Sequence, residues 1–185
     1  MRTENIIIKE TSHNDFDAII EVETQAFGHD KEAHLTEALL SDPTAKPVLS
    51  LLAFHNKRAV GHILFTRVYM NEMSDNQPLI HILAPLAVIP EYQKQGIGKM
   101  LINAGLEKLK QSGSKMVFVL GHIGYYDRHG FVPDAAKLGY QTPFHIPEEF
   151  ADAWMVQSLT SEEFTTEKGI VVCANALNEP EHWRE

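Results

Sequence analysis

The sequence predicts one α/β domain of the α+β kind, and three observations lead to this prediction. The chain has 185 residues, the length of one ordinary domain that buries a sizeable core. Short apolar runs typical of strands alternate with segments of helical period. Neither an internal repeat nor a low-complexity or linker segment interrupts this pattern. Residues 1–185 are therefore expected to form a single domain.

The first part of the chain predicts a strand and two helices. The run IIIKE at Ile6–Glu10 is typical of a short strand. The next segment carries apolar residues at helical spacing, among them Ile19 and Val22, and Gly28 is a natural stop. A second helix is expected over residues 30–40, because Pro43 cannot continue it.

The middle of the chain predicts β-structure. The runs VLSLLAF and AVGHILFTRVYM, joined by a turn at residues 55–58, are typical of a β-hairpin. After a polar loop, LIHILAPLAVIP is a nearly continuous apolar run, which indicates a strand covered on both faces. Pro85 lies inside this run and cannot donate to a ladder. We therefore expect a bulge there, or a separation from the neighbouring strand.

The rest of the chain predicts a long helix and further strands. Helical spacing at Ile102, Leu106 and Leu109 continues to a stop at Gly113. KMVFVLG follows as a buried strand, and a short helical turn comes after it. DAWMVQSL and GIVVCA are the last strand candidates. Residues 176–185, with the polar end NEPEHWRE, are expected to be loosely ordered.

Composition and charge argue against two classes of partner. The net charge of −9 and the pI of about 5.5 disfavour a nucleic-acid partner, which needs clustered Lys and Arg, and leave room for cationic partners such as amines. No apolar run approaches the roughly 20 residues of a membrane span. The first ten residues lack the apolar core of a signal peptide. No membrane partner is expected.

Cysteine and histidine usage indicates a reducing compartment and no metal centre. Cys173 is the only cysteine, so no intrachain disulfide can form, which fits the cytoplasm. The ten histidines lack a compact ligand spacing, and neither HxxxH nor CxxC occurs. We expect a cytoplasmic protein without a bound metal.

The stretch PEYQKQGIGKMLI, residues 90–102, places Gly96 and Gly98 where a helix begins. The first N–H groups of a helix have no internal partner and the helix dipole makes this end positive, so glycines there let a bulky anion approach. A Walker A loop needs GxxxxGK[ST] and a dinucleotide loop needs GxGxxG; neither spacing occurs. A pyrophosphate cradle and a plain tight turn remain the alternatives.

Two motifs together resemble those of the GCN5-related N-acetyltransferase (GNAT) family, in its YhbS-like branch. QKQGIG at residues 93–98 is similar to the family's Q/R-x-x-G-x-G/A loop, whose amides bind the pyrophosphate of acetyl-CoA. YYDRHGF at residues 125–131 is similar to its Y/F-Y-x-x-x-G-F segment. The resemblance is strongest over residues 80–132 and extends more loosely towards both ends.

This resemblance implies a fold and a cofactor site. The GNAT fold has a central mixed, twisted β-sheet flanked by helices, and its fourth and fifth strands splay apart around the pantetheine arm of acetyl-CoA. Backbone N–H groups of the fourth strand would bind that arm as an added strand, and one of them would hold the oxyanion. The implied acetyl-CoA-binding residues are Leu86, Ala87, Val88, Gln93, Lys94, Gln95, Gly96, Ile97, Gly98 and Lys99.

The resemblance also implies an acyltransferase that acetylates a primary amine of a small molecule or protein directly from acetyl-CoA. Tyr126 matches the family's tyrosine and is the candidate general acid for the departing thiolate, with positioning of the sulfur as the alternative. Tyr125 is expected in the core. Cys173 lies apart from the motifs, so no acyl-enzyme is expected.

The general base stays open at this point. The alternatives are Glu21 and Glu23 on the first helix, His62 and His81 on neighbouring strands, and a water chain. The two glutamates are expected on a solvated helix face. The two histidines are expected as hydrogen-bonded core residues.

A non-catalytic acyl-CoA-binding module, acting as a sensor or partner domain, is the second class of function. It would keep the glycine loop and dispense with Tyr126 as an acid. The complete YYxxxGF segment favours the enzyme. The sequence leaves open which amine is acetylated and whether the chain forms a homodimer.

Overall fold

A central mixed sheet joins strands from the beginning and the end of the chain. The computed structural model describes residues 5–162, 164 and 166–184. The strands run in the order β1-β2-β3-β4-β5-β7, while β8 pairs with the end of β3 and β6 pairs with β8. Their bounds are β1 Ile6–Glu10, β2 Leu49–His55, β3 Arg58–Met70, β4 Ile80–Val88, β5 Met116–Leu120, β6 Tyr140–Gln141, β7 Trp154–Ser158 and β8 Gly169–Val172.

Four α-helices accompany this sheet in the described part of the chain. Gly28 ends the first of them in the left-handed region, at φ 74°, as its sequence position predicts. In this part of the chain no helix is long and apolar enough to cross a bilayer. The helices are α1 Phe16–Phe27, α2 Lys31–Ser41, α3 Ile97–Gln111 and α4 Ile123–Tyr126.

Strands β4 and β5 are parallel neighbours for only part of their length. They pair where His81 to Leu83 face Val117 to Val119. Beyond that point β4 continues against β3 and β5 continues against β7. The two strands therefore part as the fold class predicts, and a gap opens between them, here called the fork.

The proline of β4 lies where the fork begins. On β3, Ile63 faces Leu86 and Phe65 faces Leu83, so two residues of β4, Ala84 and Pro85, stand opposite the single residue between them. This is a β-bulge. Proline has no N–H to donate, so the bulge costs the ladder little at this position. The predicted bulge is confirmed.

Helices cover both faces of the sheet. Helix α3 packs closely on one face, because Gly105 lies under the Phe65 ring and a Cβ there would overlap it. Side chains alternate along a strand, so His62 of β3 points to the opposite face. There its ring contacts Glu23 of α1.

The C-terminal segment is packed rather than loosely ordered, so this part of the sequence prediction was wrong. Residues Pro180–Trp183 form a 3-10 turn, and the Trp183 side chain is 2% exposed. Its ring lies 5.5 Å from that of Trp154, and its indole N–H donates to the Leu177 carbonyl at 2.9 Å. Glu185 lies outside the described residues. The mostly polar composition of this segment predicts a loose end, but one apolar side chain, Trp183, anchors it.

We expect Trp183→Ala to lower the free energy of unfolding by about 3 kcal/mol, because it empties a large buried site. The measurement is urea denaturation followed by circular dichroism. Glu181→Ala is the matched control, since this exposed residue belongs to the same turn, and it should change stability by less than about 0.5 kcal/mol. Equal changes in the two variants would contradict an anchoring role for the tail.

Candidate active site

The glycine loop presents free N–H groups at the start of α3. Lys94 and Gly96 adopt left-handed conformations, at φ 59° and 86°, and the helix begins at Ile97. The first intrahelical bond runs from the Met100 N–H to the Gly96 carbonyl at 3.0 Å. The N–H groups of Ile97 and the two residues after it therefore have no acceptor within the helix. With the helix dipole, they form an anion-binding end.

The two glutamines of the loop fasten it to the sheet and to the preceding turn. The Gln93 side-chain amide donates to the Val88 carbonyl at 2.9 Å, at the end of β4. The Gln95 side-chain amide donates to the Glu91 carbonyl at 2.8 Å. Both side chains thereby fix the position of the loop relative to the fork.

Positive charge surrounds this end of α3 in a chain whose net charge is −9. Lys94 and Lys99 are exposed on the loop and on the first turn of the helix. Burial, followed by the charges of Lys99 and Arg128, lowers the pKa of His129. Arg128 comes from the turn after α4, so a second segment adds a cation to those of the loop and α3. This arrangement suits a phosphate-bearing ligand.

Tyr125 covers the second loop glycine. A Cβ on Gly98 would overlap the Tyr125 hydroxyl, so the phenol reaches from α4 to the first turn of α3. Its side chain is 37% exposed, and the prediction that Tyr125 belongs to the core was wrong. Partial burial raises the pKa of Tyr125, which keeps the phenol protonated as a hydrogen-bond donor.

The fork edge of β4 carries two outward-facing N–H groups. The Ile89 N–H donates to the Val60 carbonyl at 3.0 Å, and Ala87 pairs with His62 on β3. Because main-chain groups alternate along a strand, the N–H groups of Leu86 and Val88 point away from β3, towards the fork. Ala87, grouped with them in the sequence prediction, turns its main chain to β3 instead.

Tyr126 stands beside the end of β5, on the other side of the fork. Its ring packs so closely on Gly121 that a Cβ there would lie 2.5 Å from the Cε2 atom. Phe131 contacts the same ring edge-on, with ring centroids 5.7 Å apart. The absence of a side chain at Gly121 therefore fixes where the Tyr126 phenol lies.

A cavity of about 520 Å³ reaches the fork from the face opposite α3. Its floor includes Leu83 and Ala84 of β4 and Leu120 of β5. Helix α2 and the C-terminal turn form its walls, with Glu32 and Glu181 among the charged residues. This cavity gives access to the fork from the face of the sheet that carries α2.

The four candidate bases lie in different environments. Glu21 is exposed and accepts from the Gln25 side chain at 2.8 Å. His81 is buried against the Ser114 hydroxyl at 2.8 Å, and burial lowers the pKa of its imidazole to about 4, so it is a neutral core residue as expected. Glu23 and His62 are fully buried and bonded to each other.

The prediction of a solvated face was wrong for Glu23. Glu23 follows Ile19 by four residues and precedes Ala26 by three, so it lies on the apolar stripe of α1. That spacing is the signal in the sequence that identifies its burial. Glutamate is almost never fully buried without a partner, which is why the charge outweighed the spacing in the prediction.

Cys173 is a buried thiol away from the fork-lining groups. Burial raises the pKa of Cys173 to about 12, so it carries no thiolate at neutral pH. Among the residues that the structure describes, no cluster of His, Cys, Asp and Glu has the arrangement of a metal site.

Comparisons with known proteins agree with this geometry. Residues 15–131 match the model of the acetyltransferase (GNAT) family. The chain is 53% identical over 165 residues to the uncharacterized N-acetyltransferase YjhQ of Escherichia coli K12, covering 89% of this chain and 90% of that one. The crystal structure of Escherichia coli YhbS in complex with CoA is similar, with a TM-score of 0.83, 27% identity and coverage of 95% and 93%.

A second solved structure is a GNAT family acetyltransferase from Brucella melitensis in complex with acetyl-CoA. The chain is 25% identical to it with a TM-score of 0.73, covering 93% of this chain and 97% of that one. The similarity therefore extends along nearly the whole chain.

We expect Gly98→Ala to lower the free energy of unfolding by about 1–3 kcal/mol, because its Cβ overlaps the Tyr125 hydroxyl. Adding Tyr125→Phe should recover most of the loss, since the nearest ring carbon lies at an ordinary 3.5 Å. A double-mutant cycle on urea unfolding measures the coupling. Gly124→Ala, with nothing within 4 Å, is the control and should not lose stability. If the stability losses of the two single variants add up in the double variant, the Tyr125 hydroxyl does not lie against Gly98.

Proposed function

Since the chain belongs to the GNAT family of acetyltransferases, we propose that it transfers the acetyl group of acetyl-CoA directly to a primary amine. The single observation that carries the proposal is the fork. Two free N–H groups on β4, from Leu86 and Val88, lie beside a helix N-terminus that offers further N–H groups. This combination suits a thioester joined to a pyrophosphate.

The pyrophosphate of acetyl-CoA would lie on the N–H groups of residues 96–99. Glycine at positions 96 and 98 lets the phosphate oxygens approach the backbone. The ammonium groups of Lys94 and Lys99 add charge attraction. Gln93 and Gln95 act indirectly, because their side chains hold the loop in place.

The pantetheine arm would extend along the fork edge of β4. There the N–H groups of Leu86 and Val88 bond its amides as a neighbouring strand would. At the end of the arm, one of these N–H groups polarises the thioester carbonyl and holds the negative charge that develops on its oxygen. The donor is already fixed by the pairing of β4 with β3, so no reorganisation is needed during the reaction.

The leaving group would be protonated from the β5 side of the fork. Tyr126 is the proposed donor, since its ring is held beside the end of β5 by Gly121 and Phe131. A phenol has a reference pKa of about 10 and a thiol about 8.5, so the proton transfer is slightly uphill in water. A hydrogen bond fixed by the surrounding rings reduces that cost.

Transfer without an acyl-enzyme fits this chain. Cys173, its only thiol, is buried with a raised pKa. The amine would enter through the cavity on the opposite face and meet the thioester at the fork. Because acetyl-CoA is a metabolite of the cell interior, we propose that the protein acts in the cytoplasm.

The experiment that tests the function is calorimetric titration with acetyl-CoA, CoA and ATP, followed by a thiol-release assay over a panel of primary amines. Binding of acetyl-CoA without binding of ATP, together with CoA release by at least one amine, is the expected result. Binding without turnover on any amine would favour an acyl-CoA sensor. No binding of acetyl-CoA would refute the proposed cofactor site.

We expect Gly96→Glu to weaken acetyl-CoA binding by at least about 100-fold, because the new side chain brings bulk and like charge to the phosphates. Gly113→Glu is a matched control: Gly113 has φ 88° against 86° for Gly96, and neither has an atom within 4 Å of an added Cβ. The backbone strain is therefore similar, but Gly113 follows the other end of α3. Equal weakening in both variants would show that strain alone caused the loss.

We expect Tyr126→Phe to lower kcat by about 100-fold while the KM for acetyl-CoA changes little, because the proton donor is lost in the transition state. Gly121→Ala should lower kcat as well, since its Cβ displaces the ring. Steady-state kinetics by thiol release measures both. A kcat for Tyr126→Phe within about threefold of wild type would remove Tyr126 as the acid.

A further inference from the structure

The cavity that reaches the fork from the α2 face carries charges of both signs, and no step of the proposed cofactor binding uses them. Its volume of about 520 Å³ suits a small molecule. Lys31 and Glu32 line it from the first turn of α2. Glu181 and Arg184 line it from the C-terminal segment. Each wall therefore contributes one cation and one carboxylate.

Glu32 is the inner charge of this cavity. One of its oxygens, Oε2, is buried, with His29 Nδ1 beside it at 3.0 Å. Burial raises the pKa of Glu23 on α1 against the opposing effect of His62, and the nearby charge of Glu32 adds to that rise. The Glu32 carboxylate therefore faces the buried side of the cavity. Its side chain is still 29% exposed, so a ligand in the cavity can reach it.

The outer charges are Lys31 and Arg184, which are exposed at the rim of the cavity. Neither forms an ion pair with another of the residues that the structure describes. Glu181 adds one carboxylate to the rim and is outnumbered by the two cations. The start of α2 also lacks a side-chain cap, and the helix dipole makes this end positive. The rim therefore favours an anionic group.

The two walls of the cavity are tied to each other. The Ala176 N–H donates to Asp42 Oδ2 at 2.9 Å, just after the end of α2. The Asn175 N–H donates to Thr44 Oγ1, also at 2.9 Å. The buried Trp183 ring anchors the end of the C-terminal segment. Because both walls are anchored, the separation of the charges belongs to the fold, and a ligand that matches it needs little reorganisation of the protein.

The rest of the lining is largely apolar. Leu35 and Ala38 line one wall and Leu177 lines the other, above the floor that β4 and β5 form. A short carbon chain is removed from water against such a surface, which favours its binding. The cavity thus combines an inner carboxylate, an apolar lining and a cationic rim.

We propose that the acceptor is an amino carboxylate, a small compound whose primary amine and carboxylate are separated by a short carbon chain. Its ammonium group enters first and is attracted by Glu32 towards the fork. Its carboxylate stays at the rim beside Lys31 and Arg184, where the guanidinium can bind both oxygens. The proposal rests on the proposed N-acetyltransferase function and names the substrate class of the same site.

The transfer leaves the carboxylate unchanged and acts on the amine alone. The ammonium releases one proton to solvent. The nitrogen lone pair then forms the C–N bond to the acetyl carbon, while the C–S bond breaks and its electron pair stays on the CoA sulfur. The thiolate takes a proton from Tyr126, which regains one from the second proton that the nitrogen loses. The products are the N-acetyl amino carboxylate and CoA.

The decisive experiment measures kcat/KM by thiol release for three pairs of amines at one pH. The pairs are 3-aminopropanoate with n-propylamine, 4-aminobutanoate with n-butylamine, and 6-aminohexanoate with n-hexylamine. Within a pair the carbon number is equal and both amines have a pKa of about 10, so the fraction of free amine is similar. We expect at least about a tenfold preference for the amino carboxylate in one pair or more, because two cations bind its carboxylate.

The variant that assigns this preference is Lys31→Gln combined with Arg184→Gln. We expect its preference for the amino carboxylate to fall at least about tenfold, since both carboxylate-binding cations are gone. Lys57→Gln is the control, because Lys57 is an exposed lysine on the turn between β2 and β3, and the preference should stay as in wild type. Calorimetric binding of acetyl-CoA checks that each variant is folded.

The outcomes separate this proposal from the proposed function. If plain amines are acetylated as well as amino carboxylates in all three pairs, the amino carboxylate class is refuted and the acetyltransferase stands. If the double variant keeps the preference, Lys31 and Arg184 do not bind the carboxylate and the proposal is refuted. A wild type that binds acetyl-CoA but acetylates no amine of either kind refutes the proposed function, and the acceptor class with it.

Discussion

The parting of β4 from β5 is the constraint on which the rest of the site depends. Parallel strands normally satisfy their main-chain groups in a continuous ladder, and here the ladder stops after Leu83. The bulge at Pro85 lies at that point, so β4 bends away while it stays paired with β3. The result is a pair of ordered but free N–H groups in the middle of a sheet. A ligand with an extended, amide-containing arm supplies what the ladder lacks.

Glycines determine how closely the other elements approach this gap. Gly98 lets the Tyr125 hydroxyl lie over the first turn of α3, and Gly121 lets the Tyr126 ring lie against the end of β5. In both places glycine is needed because a Cβ would overlap a tyrosine side chain. Neither glycine has the positive φ that other residues avoid. The site is therefore shaped by packing on both sides of the fork, which explains why two neighbouring tyrosines have different surroundings.

The two faces of the sheet offer different surroundings to a ligand. The α3 face carries an N-terminus, lysines and a rigid loop, all suited to an anion. The α1 and α2 face carries a cavity, whose charged lining residues are Lys31, Glu32, Glu181 and Arg184. On the same face, burial raises the pKa of Glu23, and its hydrogen bond to His62 partly opposes that rise. Cofactor and acceptor would then meet at the fork from opposite sides, and neither need pass the other.

Local patterns in the sequence determined the helices, the strands other than β6, the bulge at Pro85 and the glycine loop, because each depends on a few neighbouring residues. Tertiary structure decided what depends on distant ones. Glu23 was misjudged because its partner His62 lies 39 residues away. Trp183 was misjudged because only the fold brings Trp154 to it. Burial of a polar or terminal segment is a property of the partners it meets, and a single sequence does not say which partners those are.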